Sequence, residues 1–268
     1  MPVAERPGRR IAYSRIGAGT PVLLVPGIGA GSRLFGTLPR RFERAGLLCL
    51  TFDPVGIAPS SPHEGPWSFD EAARDILAVL DAEHLESVVF VGTSLGGKVA
   101  LATAALAPSR ARGLAMIASS AVMTPRSRSV YRFFEIVASQ IEPDCIGEIT
   151  APFLFGSTFH RERAALVSDI VRATRPDRAQ RELMVAQAQA LPSFGGEALA
   201  LGLRCPCLVL GGTEDTLTAP DEIERTAQVL PNAELHMIGN AGHSLLLESA
   251  EAFDRVVAFV RRLGKSDG

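Results

Sequence analysis

The chain has 268 residues, of which 47% are hydrophobic and 21% are charged, and its formal net charge is −2. This composition supports a large core and excludes a disordered chain. Because there is no extended basic stripe, nucleic acid is not expected as a partner. No signal peptide and no run of about 18 apolar residues is visible, so we expect a cytoplasmic protein that does not enter a membrane.

The four cysteines, Cys49, Cys145, Cys205 and Cys207, indicate no disulfide framework in a chain of this length. Cys205 and Cys207 are expected to alternate along one strand. A C-x-C pair with no second cysteine or histidine cluster is poor support for a metal site. We therefore expect reduced, mostly buried thiols.

Apolar runs and helical patterns alternate along the first 120 residues, which predicts an α/β fold with a mostly parallel sheet and helices on both faces. The predicted strands are 10–16, 21–25, 47–52, 88–91 and 113–118. The predicted helices are 32–45, 68–82 and 98–106, and Ser68 is the predicted N-cap of the second.

The alternation breaks between residues 121 and 194, where the pattern predicts helices at 130–141, 161–173 and 177–190. This segment is too long for an ordinary loop. We therefore expect a core domain of residues 1–120 and 195–268, with a helical cap of residues 121–194 inserted in it. Strands at 207–210 and 234–238 and helices at 221–230 and 245–263 complete the predicted core.

Residues 92–97 read Gly-Thr-Ser-Leu-Gly-Gly and follow directly on the apolar run 88–91. A buried strand, a G-x-S-x-G sequence and then a helical run are typical of a nucleophile elbow, which exposes its serine on a strained turn. Glycines two residues before and after the serine leave room for that turn. Ser94 is thus the candidate nucleophile; the alternative is a serine that only caps the helix.

A serine hydroxyl needs a neighbouring base, and the base needs a partner that fixes its tautomer. Among five histidines, only His243 lies in a turn of small residues after a late strand, at the start of the last helix. Asp215 follows the strand 207–210, at the carboxyl end where ligand chemistry collects in open α/β sheets. Glu214 would then point elsewhere. The alternatives are an exposed turn histidine and a turn-forming carboxylate.

The order Ser94, Asp215, His243 is that of the α/β-hydrolase fold, which the chain resembles over essentially its whole length. Relatives typically continue G-H with E-x-P-x-x-F, and residues 248–253 match this with alanine in place of proline. The resemblance implies an oxyanion hole from the backbone N–H groups of Leu95 and Ile28. The usual His-Gly before the latter is Pro26-Gly27 here. Residues 53–60 also lack an arginine and a glycine that relatives often carry, so this loop is expected to have an unusual shape.

Within this family the chain is similar to the serine esterase and enol-lactonase branch. A serine nucleophile excludes the alkyl-ester intermediate of relatives that use aspartate. The resemblance implies hydrolysis of small to medium carboxylic esters through an acyl-enzyme, without metal or organic cofactor. The alternatives are lactone or enol-lactone hydrolysis, carbon–carbon bond hydrolysis, cofactor-free perhydrolysis, or a ligand receptor or signalling-partner protein with slow hydrolysis.

The expected partner is a small-molecule ester or lactone, and the oligomeric state is open between monomer and homodimer. Cap aromatic residues favour an apolar acyl or alcohol portion. The predicted substrate-binding residues are Gly27, Phe133, Phe134, Phe153 and Phe155. A carboxylate-bearing substrate would instead need a cation, and the candidates are Arg33, Arg126, Arg128, Arg132, Arg161 and Arg163.

Overall fold

The computed structural model describes residues 1–264; the last four residues of the predicted core domain lie outside this range. Eight strands of the described residues form one sheet. They are β1 (Val3–Arg6), β2 (Arg9–Ile16), β3 (Pro21–Val25), β4 (Leu48–Phe52), β5 (Val88–Thr93), β6 (Ala111–Ile117), β7 (Cys207–Gly212) and β8 (Ala233–Ile238).

Their order in the sheet is β1-β2-β4-β3-β5-β6-β7-β8. The pairs β1–β2 and β2–β4 are antiparallel, and the remaining pairs are parallel. The carboxyl ends of β3, β5, β6, β7 and β8 therefore meet at one edge, where open α/β sheets bind ligands.

Helices cover both faces of this sheet and fill the long connection between β6 and β7. The core helices before that connection are α1 (Leu38–Arg44), α2 (Phe69–Ala82) and α3 (Leu95–Leu106). The connection holds α4 (Pro125–Gln140), α5 (Pro143–Leu154), α6 (Ser157–Glu162), α7 (Ala164–Ala173), α8 (Arg178–Ala190) and α9 (Gly196–Gly202). The last core helices are α10 (Pro220–Val229), α11 (Leu245–Glu248) and α12 (Ala250–Gly264). No helix of the described residues is long and apolar enough to cross a membrane.

The sheet strands bury both of their faces, as expected for a parallel sheet between two helical layers. On β3, Leu23 packs in a core with α2 and α3, whereas Leu24 packs in a second core with α1 and α12. The same alternation along β5 places Phe90 in the first core and Val91 in the second. These two cores hold the strands rigidly beneath the loops at their carboxyl ends.

The structure corrects several predicted elements. The predicted helix 32–45 is a 3₁₀ turn at Ser32–Phe35 followed by α1, because Gly36 adopts a positive φ of 48° between them. The predicted helix 245–263 is divided at Ser249, which is extended. β1, α5, α6 and α9 were not predicted. β1, α6 and α9 are only four, six and seven residues long, and α5 contains Pro152 and Gly147, which favour a loop.

The expectations for the cysteines are met in part. Cys205 precedes β7 and does not share a strand with Cys207, because Pro206 stands between Cys205 and the start of the strand. All four are free thiols; Cys49 and Cys207 are buried, Cys205 is partly buried and Cys145 is exposed.

Candidate active site

Ser94 lies between β5 and α3 in a backbone conformation that side chains rarely adopt, with φ 54° and ψ −123°. Its N–H donates to the carbonyl of Ile117 at 2.9 Å, which fixes the turn to the end of β6. Such strained backbone persists only where surrounding contacts determine it, and it is concentrated at functional sites. The turn therefore has the geometry that a nucleophile elbow requires.

Two glycines make this turn possible because the backbone passes very close to them. A Cβ atom on Gly92 would collide with the carbonyl of Gly96, and one on Gly96 would collide with the carbonyl of Val25. Gly96 thus allows α3 to start directly against the end of β3. The spacing of glycines seen in the sequence has a steric cause here.

Asp215 and His243 meet at the carboxyl ends of β7 and β8. Asp215 Oδ2 lies 2.9 Å from His243 Nδ1. Its other oxygen, Oδ1, accepts from the backbone N–H groups of Leu217 at 2.8 Å and Thr218 at 2.9 Å. Because a carboxylate accepts hydrogen bonds, Nδ1 of the histidine carries the proton, and Nε2 is left as the basic nitrogen.

The neighbouring Glu214 points away from this pair, as expected. Its carboxylate accepts from the backbone N–H of Thr158 at 2.9 Å and from the hydroxyl of Thr158 at 2.7 Å. These bonds lower the pKa of Glu214. Glu214 therefore joins the loop after β7 to the start of α6.

Glu248 on α11 fixes the loop that carries His243. Its carboxylate accepts from the backbone N–H groups of Gly242 at 2.8 Å, Ser244 at 3.0 Å and Gly156 at 3.0 Å. Burial raises the pKa of Glu248, although these three hydrogen bonds oppose the rise. Sequence reasoning noted this glutamate only as part of a family pattern, and its spacing of five residues from the histidine was the available signal.

Ser94 and His243 line one cavity of about 30 Å³ beneath α4. Within residues 1–264, no hydrogen bond joins Ser94 Oγ to the histidine ring. Hydrogen bonds between catalytic groups are often long without substrate and tighten when it binds. Ile28 and Leu95 line the same cavity, so the predicted oxyanion residues lie beside the serine.

Leu95 is the first residue of α3, so its N–H has no acceptor within the helix. The positive end of the helix dipole favours an anion there. On the opposite side, Gly27 approaches Ser94 closely, since a Cβ built on Gly27 would lie 3.6 Å from Ser94 Cβ. The loop containing Ile28 is fixed to α8, because Gly29 N–H donates to Gln187 Oε1 of that helix at 2.8 Å.

The four predicted cap phenylalanines occupy different places. Phe134 lines the cavity, whereas the other three are not among the described residues that line it. Phe133 packs against Phe134, with ring centroids 5.4 Å apart. Phe153 packs against the ring of Phe133 and is 39% exposed. Phe155 is buried against Phe159 in a separate cluster of α5, α6 and α7.

Lys98 is a cavity residue that sequence reasoning missed. It lies on α3, is only 3% exposed, and its Nζ donates to the carbonyl of Ser120. The ammonium group lies 5.1 Å from the ring centroid of Phe194 and 5.9 Å from that of Tyr131. Burial lowers the pKa of Lys98 to about 7, and the nearby negative charge of Glu222 opposes this shift. The signal in the sequence was a single cation in an otherwise apolar helix.

The arginines named as candidate cations for a carboxylate-bearing substrate do not line the cavity in the described part of the chain. Arg126 instead donates to the carbonyl of Leu217 at 3.1 Å and lies 4.0 Å from Glu222. No group of three or more histidine, cysteine, aspartate or glutamate side chains among residues 1–264 could hold a metal ion.

The parallel sheet, the strained serine after its central strand β5, and the aspartate–histidine pair after later strands are the features of one class of proteins. The family model described as alpha/beta hydrolase fold matches residues 20–250. The chain therefore belongs to the α/β-hydrolase fold family, which confirms the predicted fold class.

Three relatives illustrate the range of this family. A polyketide synthase, ThaQ of Burkholderia thailandensis, is 30% identical over 263 residues, which are 94% of this chain but only 12% of that protein. A 2-hydroxy-6-oxononadienedioate/2-hydroxy-6-oxononatrienedioate hydrolase of Dechloromonas aromatica is 27% identical over 92% of this chain and 89% of its own length. The solved enol-lactonase of Burkholderia xenovorans LB400 has 20% identity and a TM-score of 0.86, and the match covers 97% of this chain and all of that chain. Family membership and the relative named as a hydrolase support a hydrolase, and the enol-lactonase shows the same fold.

Proposed function

We propose that this protein is a serine hydrolase that cleaves small carboxylic esters through Ser94, His243 and Asp215. The observation that carries the proposal is the pairing of His243 Nδ1 with Asp215 at 2.9 Å, in a cavity that the strained Ser94 also lines. A base with a fixed tautomer beside a serine on a sharp turn is the arrangement that activates a hydroxyl.

In the first half of the reaction, His243 Nε2 takes the proton of Ser94 Oγ, and the oxygen attacks the ester carbonyl carbon. The carbonyl oxygen becomes negative and accepts hydrogen bonds from the N–H groups of Leu95 and Ile28. Asp215 stabilises the charged imidazolium. When the tetrahedral intermediate collapses, the histidine gives its proton to the alcohol oxygen, the carbon–oxygen bond to the alcohol breaks, and an acyl-serine remains.

In the second half, a water molecule gives its proton to His243 Nε2 as its oxygen attacks the acyl-serine. The carbon–oxygen bond to Ser94 then breaks, and the serine oxygen recovers its proton from the histidine. The acid leaves, and the protein returns to its starting state. Every proton in this cycle passes through one nitrogen.

Helices α4–α8 serve in this proposal as a cap over the reaction. Phe134 and Val130 of α4 line the cavity above the serine. α4 packs on α8 through Phe134, Ala138, Met184 and Ala188. A cap of this kind limits the access of bulk water, while the single water of the second half-reaction still enters, and it selects the acyl group by size.

The test is hydrolysis of p-nitrophenyl acetate and butanoate by the wild type and by Ser94→Ala. We expect turnover by the wild type and a loss of about 10⁶ in kcat for the variant, because the triad acts as a unit. Ser129→Ala, an exposed serine on α4, is the matched control and is expected to keep wild-type turnover. Stoichiometric release of p-nitrophenol without turnover would instead indicate a receptor, and equal rates for both Ser94 forms would refute the proposal.

Lactones, enol-lactones and diketones belong in the same assay panel. Two proteins similar to this chain are named as an enol-lactonase and as an oxononadienedioate hydrolase, which supports testing these further substrate classes. A higher kcat/KM for a lactone than for any open-chain ester would replace ester hydrolysis by lactonase activity, with the same residues in the same roles.

A further inference from the structure

Several polar side chains line the cavity, although most of the surrounding core is apolar. Lys98 follows Ser94 by four residues and therefore lies one helical turn further along α3, on the same side of the helix. Ser119 follows the end of β6 and faces the same space. Ser94 lines this cavity as well, so an acyl group attached to it would share the space with these two side chains.

Lys98 has fewer acceptors than its ammonium group can use. An ammonium carries three N–H donors, and within residues 1–264 Nζ makes one hydrogen bond, to Ser120. A buried cation without enough acceptors is costly, because the donors have lost their water. At least one further N–H donor, and two when the amine is protonated, can therefore bind an oxygen atom of a ligand.

Ser119 provides the second, independent observation. Its side chain is 1% exposed, and Oγ has no hydrogen-bond partner among the described residues. Buried hydroxyl groups without a partner are rare in native structures and call for an explanation. Gly97 makes room for this hydroxyl, because a Cβ on that glycine would collide with Ser119 Oγ. The orphan hydroxyl and the donors of Lys98 line one cavity.

The charge balance of the cavity favours a neutral ligand group. Glu222 is only 2% exposed and also lines the cavity, so its carboxylate offsets the charge of Lys98. Arg126 lies 4.0 Å from Glu222 but is exposed to solvent, which screens its charge. A carboxylate on the substrate would add a second buried negative charge beside Glu222. A hydroxyl or ketone oxygen would satisfy the free donors without this cost.

The volume limits the length of the acyl group. A cavity of about 30 Å³ holds roughly two groups the size of a water molecule. Two or three atoms beyond the ester carbonyl would fill it, so a longer acyl chain does not fit beside Lys98 and Ser119.

From these observations, we infer that Lys98 and Ser119 form a polar acyl subsite that binds a neutral oxygen atom at the end of a short acyl chain. The inference rests on the proposed function, since it names the class of ester that the same site prefers: short hydroxyacyl or oxoacyl esters rather than alkanoyl esters. Lys98 Nζ and Ser119 Oγ donate to this oxygen.

The kinetic test compares two p-nitrophenyl esters of equal size, the 3-hydroxypropanoate and the butanoate. We expect kcat/KM to be at least fivefold higher for the hydroxy ester, and we expect Ser119→Ala to reduce this ratio to about one. Lys98→Met is the second variant and should reduce the ratio in the same direction. Ser129→Ala is the matched control and should keep the wild-type ratio.

Two results would overturn the inference while leaving ester hydrolysis intact: a wild-type ratio of one or less, or an unchanged ratio in Ser119→Ala. A third ester, the malonate half ester, tests for a carboxylate. If its kcat/KM exceeds that of the hydroxy ester, the subsite binds anions and the inference of a neutral ligand is wrong.

A binding experiment separates this inference from the proposed function. 3-Hydroxypropanamide and butanamide can occupy the cavity without being esters, and their dissociation constants for Ser94→Ala are measurable by ligand-observed NMR. We expect at least fivefold tighter binding of the hydroxy amide, and loss of this difference when Ser119→Ala is added. If no ester is hydrolysed, this measurement still decides: equal dissociation constants for the two amides would refute the subsite.

Discussion

Asp215 Oδ2 lies 2.9 Å from His243 Nδ1, and both side chains are buried. The two residues are separated by 28 positions in the sequence and follow neighbouring parallel strands. Asp215 is itself fixed by two backbone N–H donors, so its remaining oxygen has a defined direction. The aspartate can therefore determine both the tautomer and the orientation of the imidazole ring.

The first prediction concerns that tautomer. Asp215→Asn keeps the shape of the side chain but can present an amide N–H to the ring, which places the imidazole proton on the wrong nitrogen. We expect kcat to fall by about 10⁴ and KM to change little. Steady-state kinetics on p-nitrophenyl acetate measures both values.

Glu214→Gln is the matched control for this prediction. Glu214 is the adjacent carboxylate, yet it binds Thr158 instead of the histidine. We expect kcat to stay within about tenfold of the wild type. Equal losses in the two variants would mean that the aspartate has no special role and that general negative charge is what the site requires.

Much of this arrangement could be predicted from the sequence because its causes are local. The backbone conformation at Ser94 is restricted by the strand before it and by the glycines around it. The loop that carries His243 is likewise shaped by the small residues next to the histidine. Parallel strands then bring the ends of their loops to one edge, whatever lies between them. For these reasons, motif and topology together were enough to predict that Asp215 and His243 meet.

The interior of the cavity could not be predicted because its contacts are non-local. In the sequence, Lys98 is a single charged residue on a predicted helix. In the structure, Tyr131 of α4 and Glu222 of α10 lie beside it in the cavity. The bond between Glu248 and Gly156 spans 92 positions. Which cap phenylalanine lines the cavity depends on how α4 packs on α8, and the helical pattern alone does not determine this packing.

The second prediction concerns Glu248 as a positioning residue. Glu248→Gln replaces one acceptor oxygen by an NH₂ group that faces backbone N–H donors, so the loop carrying His243 loses part of its support. We expect kcat to fall about tenfold, together with a lower Tm. The pH profile of kcat should also shift, because the environment of the imidazole changes; a purely structural role would lower the Tm and leave that profile in place.

Glu251→Gln serves as the control, since Glu251 lies on α12 and pairs with Arg255 at the surface. We expect its kcat and pH profile to match the wild type, because exposed ion pairs contribute little. A similar shift of the pH profile in both variants would contradict a specific role for Glu248.

The third prediction concerns the elbow. In Gly96→Ala, the new methyl group collides with the carbonyl of Val25, which is backbone and cannot rotate away. We expect the free energy of unfolding to fall by about 3 kcal/mol. Gly202→Ala is the control, because a Cβ at that position meets no atom within 4 Å. Urea denaturation of both variants measures the difference, and equal stabilities would show that the elbow relaxes without cost.

The fourth prediction concerns the pH dependence of stability that Lys98 imposes. The pKa of Lys98 is about 7 in the folded protein and near 10.5 when exposed, so between these values the unfolded chain binds more protons, and the free energy of unfolding rises with pH. The slope has an upper limit of about 1.4 kcal/mol per pH unit.

Lys98→Met removes this slope while Glu222 keeps Arg126 as a neighbouring cation. Urea denaturation at intervals from pH 6 to 9.5 measures the free energy of unfolding of both proteins. The value for the wild type minus the value for the variant should be constant below about pH 7 and should increase with pH above it. A constant difference across the range would mean that the ammonium retains its ordinary pKa and is better solvated than its burial implies.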